Sequence, residues 1–148
     1  MHIRNFAEYG ITFCKPEDIT GTGAKLDDVS IWLIVMLQKF YVLMCKTYPN
    51  IKIILLKNGL TSGDHRATWH PRGLAADIAL SGDFKIYDIW KIAVSAGFGG
   101  IGLYWNGVAY SIHIDLRPRP KGFPALWAAN KVDGKWSYGS VFSDPAGW

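Results

Sequence analysis

A chain of 148 residues, 49% of them hydrophobic and with no low-complexity tract, is long enough to bury one ordinary core, which excludes a disordered protein. Its net charge of +4 comes from scattered Lys and Arg residues and suits an anionic polymer. With no basic stripe and no recognisable nucleic-acid-binding motif, nucleic acid is not the expected partner.

The first residues, Met-His-Ile-Arg-Asn-Phe-Ala-Glu, lack the basic-then-apolar-then-small order of a secretory signal, so synthesis in the cytoplasm without one is expected. Residues 1–25 read as irregular, with a Gly-Thr-Gly turn at 21–23, and Asp27 or Asp28 is placed to cap the helix that follows. From 29 to 47 apolar residues are dense (Ile31, Leu33, Ile34, Met36, Leu37, Phe40, Leu43, Met44), which predicts a largely buried helix. Ser30, Gln38 and Lys39 interrupt that run, so no membrane span is expected. Tyr48-Pro49-Asn50 ends the helix. Cys45 lies on it as a small hydrophobe; Cys14 is too distant in sequence to form a Cys-x-x-Cys metal site with it, and a reduced pair is expected.

Residues 51–56 form a short apolar strand bounded by Asn58-Gly59. A polar loop occupies 61–72, a buried strand 74–80, and a helix 86–96 that stops at Gly97. Strands at 101–105 and 109–116 are joined by Asn106-Gly107, a strong hairpin signal. The stretch 118–148 is rich in Pro, Gly and Trp and is expected to be an extension without regular structure. Trp105, Trp127, Trp136 and Trp148 fall late in the chain, where they either close the core or line a groove. With neither repeat nor linker, the sequence predicts one α+β domain over 1–148.

Three residues carry the chemistry. Asp77 sits in Gly73-Leu74-Ala75-Ala76-Asp77-Ile78-Ala79-Leu80, where burial is expected, and a buried carboxylate must be paired, hydrogen-bonded or bound to metal. Strand alternation puts Ala75, Asp77 and Ala79 on one face, and the small alanines leave room beside the carboxylate. In the 109–116 strand the same alternation places Ser111, His113 and Asp115 together, opposite an apolar and aromatic face of Tyr110, Ile112, Ile114 and Leu116. His-x-Asp alone suits a structural hydrogen-bonded pair equally well. His70, seven residues before Asp77, completes two histidines and a carboxylate, a common zinc set with a fourth position left for water.

These residues resemble a known family. Thr68-Trp69-His70-Pro71-Arg72-Gly73-Leu74-Ala75-Ala76-Asp77 is similar to the Ser/Thr-x-His-x-x-Gly-x-Ala-x-Asp motif of the M15 peptidases, zinc D-alanyl-D-alanine peptidases and related phage endolysins. Gly100-Ile101-Gly102-Leu103-Tyr104, followed by Ile112-His113-Ile114-Asp115, resembles the Gly-x-Gly-x-Tyr and His-x-Asp signature of its phage and murein endopeptidase branch. The likeness covers about 26–117. It implies a small antiparallel sheet carrying the metal site and packed against helices, the Hedgehog/DD-peptidase fold. It implies Zn2+ on His70, Asp77 and His113, and a metal-bound water attacking a stem or cross-link peptide of peptidoglycan.

Some relatives place an acidic base three residues before the last ligand, where this chain has Tyr110. That leaves Asp115, which shares a face with His113, as first candidate base or as a partner of the ligands, and His65 on the polar loop as second. Arg66 and Arg72, with Lys57 nearby, are candidates to bind substrate carboxylates, and each suits an exposed surface charge equally. Residues 97–102 lack the Gly-Lys-Ser/Thr ending of a phosphate-binding loop and are expected to let backbone pass close to the metal site. The expected protein is thus a monomeric wall-lytic enzyme of a phage or bacterium, acting outside the membrane on wall peptides. The alternative is a catalytically silent, zinc-containing wall-binding module of the same fold.

Overall fold

Ser30 turns the chain into its longest helix by accepting the backbone N–H of Trp32 on its hydroxyl, which satisfies a donor left over at the helix start. Asp27 and Asp28, the caps expected from the sequence, lie instead in a 3-10 turn one step earlier, Leu26–Asp28. The computed structural model of the protein describes residues 6–61, 69–119 and 122–139. Helix α1 is Pro16–Thr20, a short turn inside the segment expected to be irregular, and α2 is Ile31–Thr47. Along α2, Leu33, Ile34, Leu37, Phe40 and Met44 recur at three- and four-residue steps and are fully buried, while Trp32 faces out. Helix α3, Ile86–Ala96, packs beside it and ends at Gly97, whose φ of +110° supplies the left-handed cap.

Six strands make one sheet: β1 (Lys52–Leu55), β2 (Ala75–Ser81), β3 (Gly100–Trp105), β4 (Tyr110–Asp115), β5 (Ala125–Val132) and β6 (Lys135–Gly139), in the order β1-β2-β4-β3-β5-β6. Every pair is antiparallel except β3 with β5, which run parallel. The sheet is therefore mixed and larger than the small antiparallel one expected. The hairpin expected at Asn106-Gly107 joins β3 to β4.

The stretch beyond Pro118 also departs from expectation, because it supplies both β5 and β6. Its alanine-rich run, Ala125-Leu126-Trp127-Ala128-Ala129, has little intrinsic strand preference, and it is the pairing along β3 that holds it extended. Asp133-Gly134, both at positive φ, then closes a two-residue hairpin between Val132 and Lys135.

Alternation gives the sheet two unlike faces. Ile53, Ala76, Ile78, Ile101, Leu103, Ile112 and Ile114 join α2 and α3 in a single apolar core. The opposite face carries Asp77, His113 and Asp115. Among the described residues no helix is long and apolar enough to cross a membrane.

Phe40 meets Phe98 edge-on at 5.6 Å between ring centroids, and both are fully buried where α2 approaches the start of β3. We expect Phe40→Ala to destabilise the fold by about 3–5 kcal/mol, read as a lower urea midpoint with an unchanged slope.

Candidate metal centre

Strand pairing lines up the site. Asp77 on β2 is opposite His113 on β4, His113 is opposite Gly102 on β3, and Gly102 is opposite Trp127 on β5, so the four form one row across the sheet. One row to the side lie Ala75, Asp115, Gly100 and Ala125; on the other side lie Ser111, Tyr104, Ala129 and Tyr138.

His70 reaches this row from the turn before β2. That turn is closed by Gly73 N–H to the His70 carbonyl and Leu74 N–H to the Trp69 carbonyl, and Ser30 N–H ties it to α2 through the Gly73 carbonyl. Gly73 has a φ of +67°, and a methyl there would overlap the Asp28 carbonyl, so only glycine fits between the turn and the helix start.

The three groups converge closely. His70 Nε2 is 3.2 Å from His113 Nδ1, which is 3.1 Å from Asp77 Oδ1; Asp77 Oδ2 is 3.5 Å from His70 Nε2. Both imidazoles are buried, while the Asp77 side chain is 37% exposed and opens the group to solvent.

Behind each imidazole stands an acceptor. His70 Nδ1 lies 3.1 Å from the Leu60 carbonyl, which can only accept, so Nδ1 carries the proton and Nε2 turns a lone pair inward. His113 Nε2 lies 2.9 Å from Asp115 Oδ2. Burial alone would raise the Asp115 carboxyl, but hydrogen bonds from His113 and Arg117 outweigh it and hold it at about 2. Asp115 is therefore an acceptor, His113 Nε2 carries the proton, and Nδ1 faces inward.

Two imidazole lone pairs and a carboxylate pointing at one spot repel each other unless a cation lies among them. Burial raises the Asp77 carboxyl too, yet its contacts with His113 and His70 bring it down to about 2, so it contributes a full negative charge. Hydrogen-bonded acceptors behind the histidines are the arrangement that orients metal ligands. His70, Asp77 and His113, with donor atoms all within 4.8 Å of one another, could hold a metal ion. Without one, the cation is a proton: burial works against it on His113, but the Asp115 and Asp77 carboxylates prevail and raise that imidazole above its usual value.

The group opens onto a cavity of about 520 Å³, walled by Leu56, Ser111, Arg117 and four aromatic side chains, Tyr104, Trp127, Trp136 and Tyr138. The glycines of β3 make this wall possible. A methyl at Gly102 would overlap the Trp127 indole, which leans across that gap to bring its ring centroid 5.3 Å from that of His113. A methyl at Gly100 would strike the Asp115–Arg117 pair, and one at Gly99 the Arg117 carbonyl. Backbone thus passes closely only at Gly99; at Gly100 and Gly102 the space, expected for backbone, is filled by side chains.

Of the residues singled out in the sequence, His70, Asp77 and His113 come together as one group. Asp115 shares their face but is fully buried, bound to His113 and to Arg117 Nε at 2.8 Å, so its geometry is that of a partner to the ligand and not of a base open to the cavity. Tyr110 points to the other face, against the core and 4.5 Å from the Trp105 ring. Arg72 is exposed and stacks on Trp69 at 4.9 Å, away from the cavity lining. His65 and Arg66 lie outside the described residues.

Trp127 and Trp136 line the cavity, one of the two places expected of them, whereas Arg117, Tyr104 and Tyr138 were not singled out by role. The Gly-x-Gly-x-Tyr spacing was their signal, since two glycines and a tyrosine on one strand face imply a space and something filling it. Leu60 acts through its carbonyl, and nothing in its side chain could have shown that.

We expect Asp115→Ala to weaken binding of a divalent metal by about 10–100-fold, measured by competition with a chromogenic chelator. His113 is raised above 6.5 in the metal-free protein, so a metal must displace its proton. Affinity should therefore rise with pH through the window above 6.5 and then level off, with a proton released on binding; calorimetry in buffers of different ionisation heat measures that proton. Compared with protein-family models, with curated proteins and with solved structures, the chain matches none.

Proposed function

We propose that the protein is a zinc-dependent peptidase acting on the stem or cross-link peptides of bacterial peptidoglycan. The observation that carries this reading is the convergence of His70 Nε2, His113 Nδ1 and the Asp77 carboxylate at the floor of an open cavity, with an acceptor fixing each imidazole from behind. Two histidines and one carboxylate suit zinc and leave a further coordination position. When bound, zinc supplies a Lewis acid that polarises a carbonyl and lowers the pKa of water to roughly 7.

The chain's own residues do the rest. Asp115 and the Leu60 carbonyl each take up the outer nitrogen of an imidazole, so that the inner nitrogen is the one presented to a metal, and Trp127 and Trp136 line the cavity beside it. Arg117 is the cation among the described residues that line the cavity, the place for which Arg66 and Arg72 were candidates. Choice of substrate rests on the sequence likeness in 68–77 and 100–115 to the M15 peptidases, and on a net positive charge that suits an anionic wall.

A second reading, a zinc-containing wall-binding module without turnover, is favoured by one observation. Asp77 supplies the lone carboxylate among the described residues lining the cavity, so no separate acidic base faces the substrate there.

Digestion of purified peptidoglycan by the zinc-loaded protein, read by mass spectrometry, separates the two. We expect one defined new peptide terminus that disappears with a chelator, returns with added Zn2+, and is absent with His113→Ala. Zinc-loaded protein that binds the wall yet releases no new terminus would establish the silent module.

A further inference from the structure

Tyr104 lines the cavity with a polar atom that the metal centre leaves unused. It stands on β3 two residues from Gly102, on the face that carries His113. Because Gly102 has no side chain, the Trp127 indole nitrogen stands directly above it, over the row formed by Asp77 and His113. That nitrogen donates to the Tyr104 hydroxyl at 2.8 Å, so the phenol oxygen is drawn toward the same row.

An indole N–H is only a donor, and it occupies acceptor capacity on the phenol oxygen. The phenol's own proton must then point elsewhere: toward the hydroxyl of Tyr138, 64% exposed at the mouth, or into the cavity. The ring is held while it does so. Trp136 meets it edge-on at 5.3 Å and Tyr138 at 6.3 Å. The indole thus fixes the phenol oxygen before substrate arrives, and its O–H, turned from Tyr138 to a carbonyl oxygen in the cavity, would stabilise negative charge developing there. Arg117 serves less well, since its Nε and one terminal nitrogen are already given to Asp115.

We propose that Tyr104 is a further catalytic residue for the peptide hydrolysis inferred above: its phenolic O–H donates a hydrogen bond to the oxygen of the scissile carbonyl as that carbon becomes tetrahedral. The inference rests on the peptidase reading. In the step, the oxygen of water bonds to the carbonyl carbon and the carbonyl π pair moves onto its oxygen, where Tyr104 holds it. The pair then returns, the C–N bond breaks, and a proton from the water ends on the departing amine. Tyr104 keeps its own proton throughout, so it is neither the acid nor the base.

The test uses zinc-loaded protein, a wall peptide that it cleaves, and a phosphinic peptide that copies the tetrahedral carbon. Tyr104→Phe keeps the ring and removes only the hydroxyl. We expect kcat to fall by about 100-fold, KM and zinc content to stay near wild type, and affinity for the phosphinic peptide to fall by a factor similar to that in kcat. The shape of the pH–rate profile should not change. Trp127→Phe, which removes the orienting N–H, should give a smaller loss that does not add to that of Tyr104→Phe in the double variant.

Wild-type kcat and wild-type phosphinic-peptide affinity in Tyr104→Phe would overturn the role of Tyr104 and leave the peptidase reading intact. Loss of zinc in parallel with kcat would overturn it as well, making Tyr104 a support of the metal site. Zinc-loaded wild type that neither cleaves wall peptides nor binds the phosphinic peptide would overturn the peptidase reading, and this inference with it.

Discussion

Asp115 is a carboxylate without exposure to solvent, and leaving it unpaired there would cost several kcal/mol, a large share of the stability of a small domain. Arg117 meets it through backbone and side-chain nitrogens, and His113 meets it through Nε2. Each partner makes a demand on its neighbours. Room for the ion pair requires glycine at Gly100, and the close pass of the Arg117 backbone requires glycine at Gly99. Once Asp115 has claimed Nε2, His113 has only Nδ1 to present to Asp77 and His70. The chemistry of the site thus follows from how one buried charge is neutralised.

Strand register spreads this effect over the sheet. Because paired residues share a face, the row holding Asp115 fixes the next row, and that row holds Asp77, His113, Gly102 and Trp127. A slip of one residue in β4 would turn His113 and Asp115 into the helix-packed core and bring Ile112 and Ile114 to the cavity. Ile112 and Ile114 on the apolar side of β4, buried in the core shared with α2 and α3, resist that slip.

Much of this was legible in the residues. The alternation in 109–116 separated His113 and Asp115 from the isoleucines, and Asp77 stood out as a charge in an apolar run. Asn106-Gly107 marked its hairpin, and Gly97 the end of α3. The Ser30 cap was obscured by two aspartates that fit the same role one turn earlier. Strands β5 and β6 were missed because the alanines of β5 have weak strand preference, and what extends them is a parallel partner 25 residues earlier in the chain. Asp133-Gly134 was a hairpin signal inside a segment whose prolines and glycines suggested irregularity. Asp115 shared a face with His113, but whether it looked into the cavity or backed the imidazole depended on Arg117, which alternation alone does not place.

The parallel pairing of β3 with β5 divides labour along the chain. His70, Asp77, His113 and Asp115 fall within 70–115, whereas Trp127, Trp136 and Tyr138 come from strands that follow. Among the described residues, strand β6 pairs with the sheet on one side only and is exposed along its length. Its side chains supply neither His70, Asp77 and His113 nor the acceptors behind them, and they meet the inner strands through the Tyr104 ring. Such a molecule can acquire new preferences among the compounds it admits by mutation of an outer ribbon, while the His70, Asp77 and His113 group is inherited unchanged.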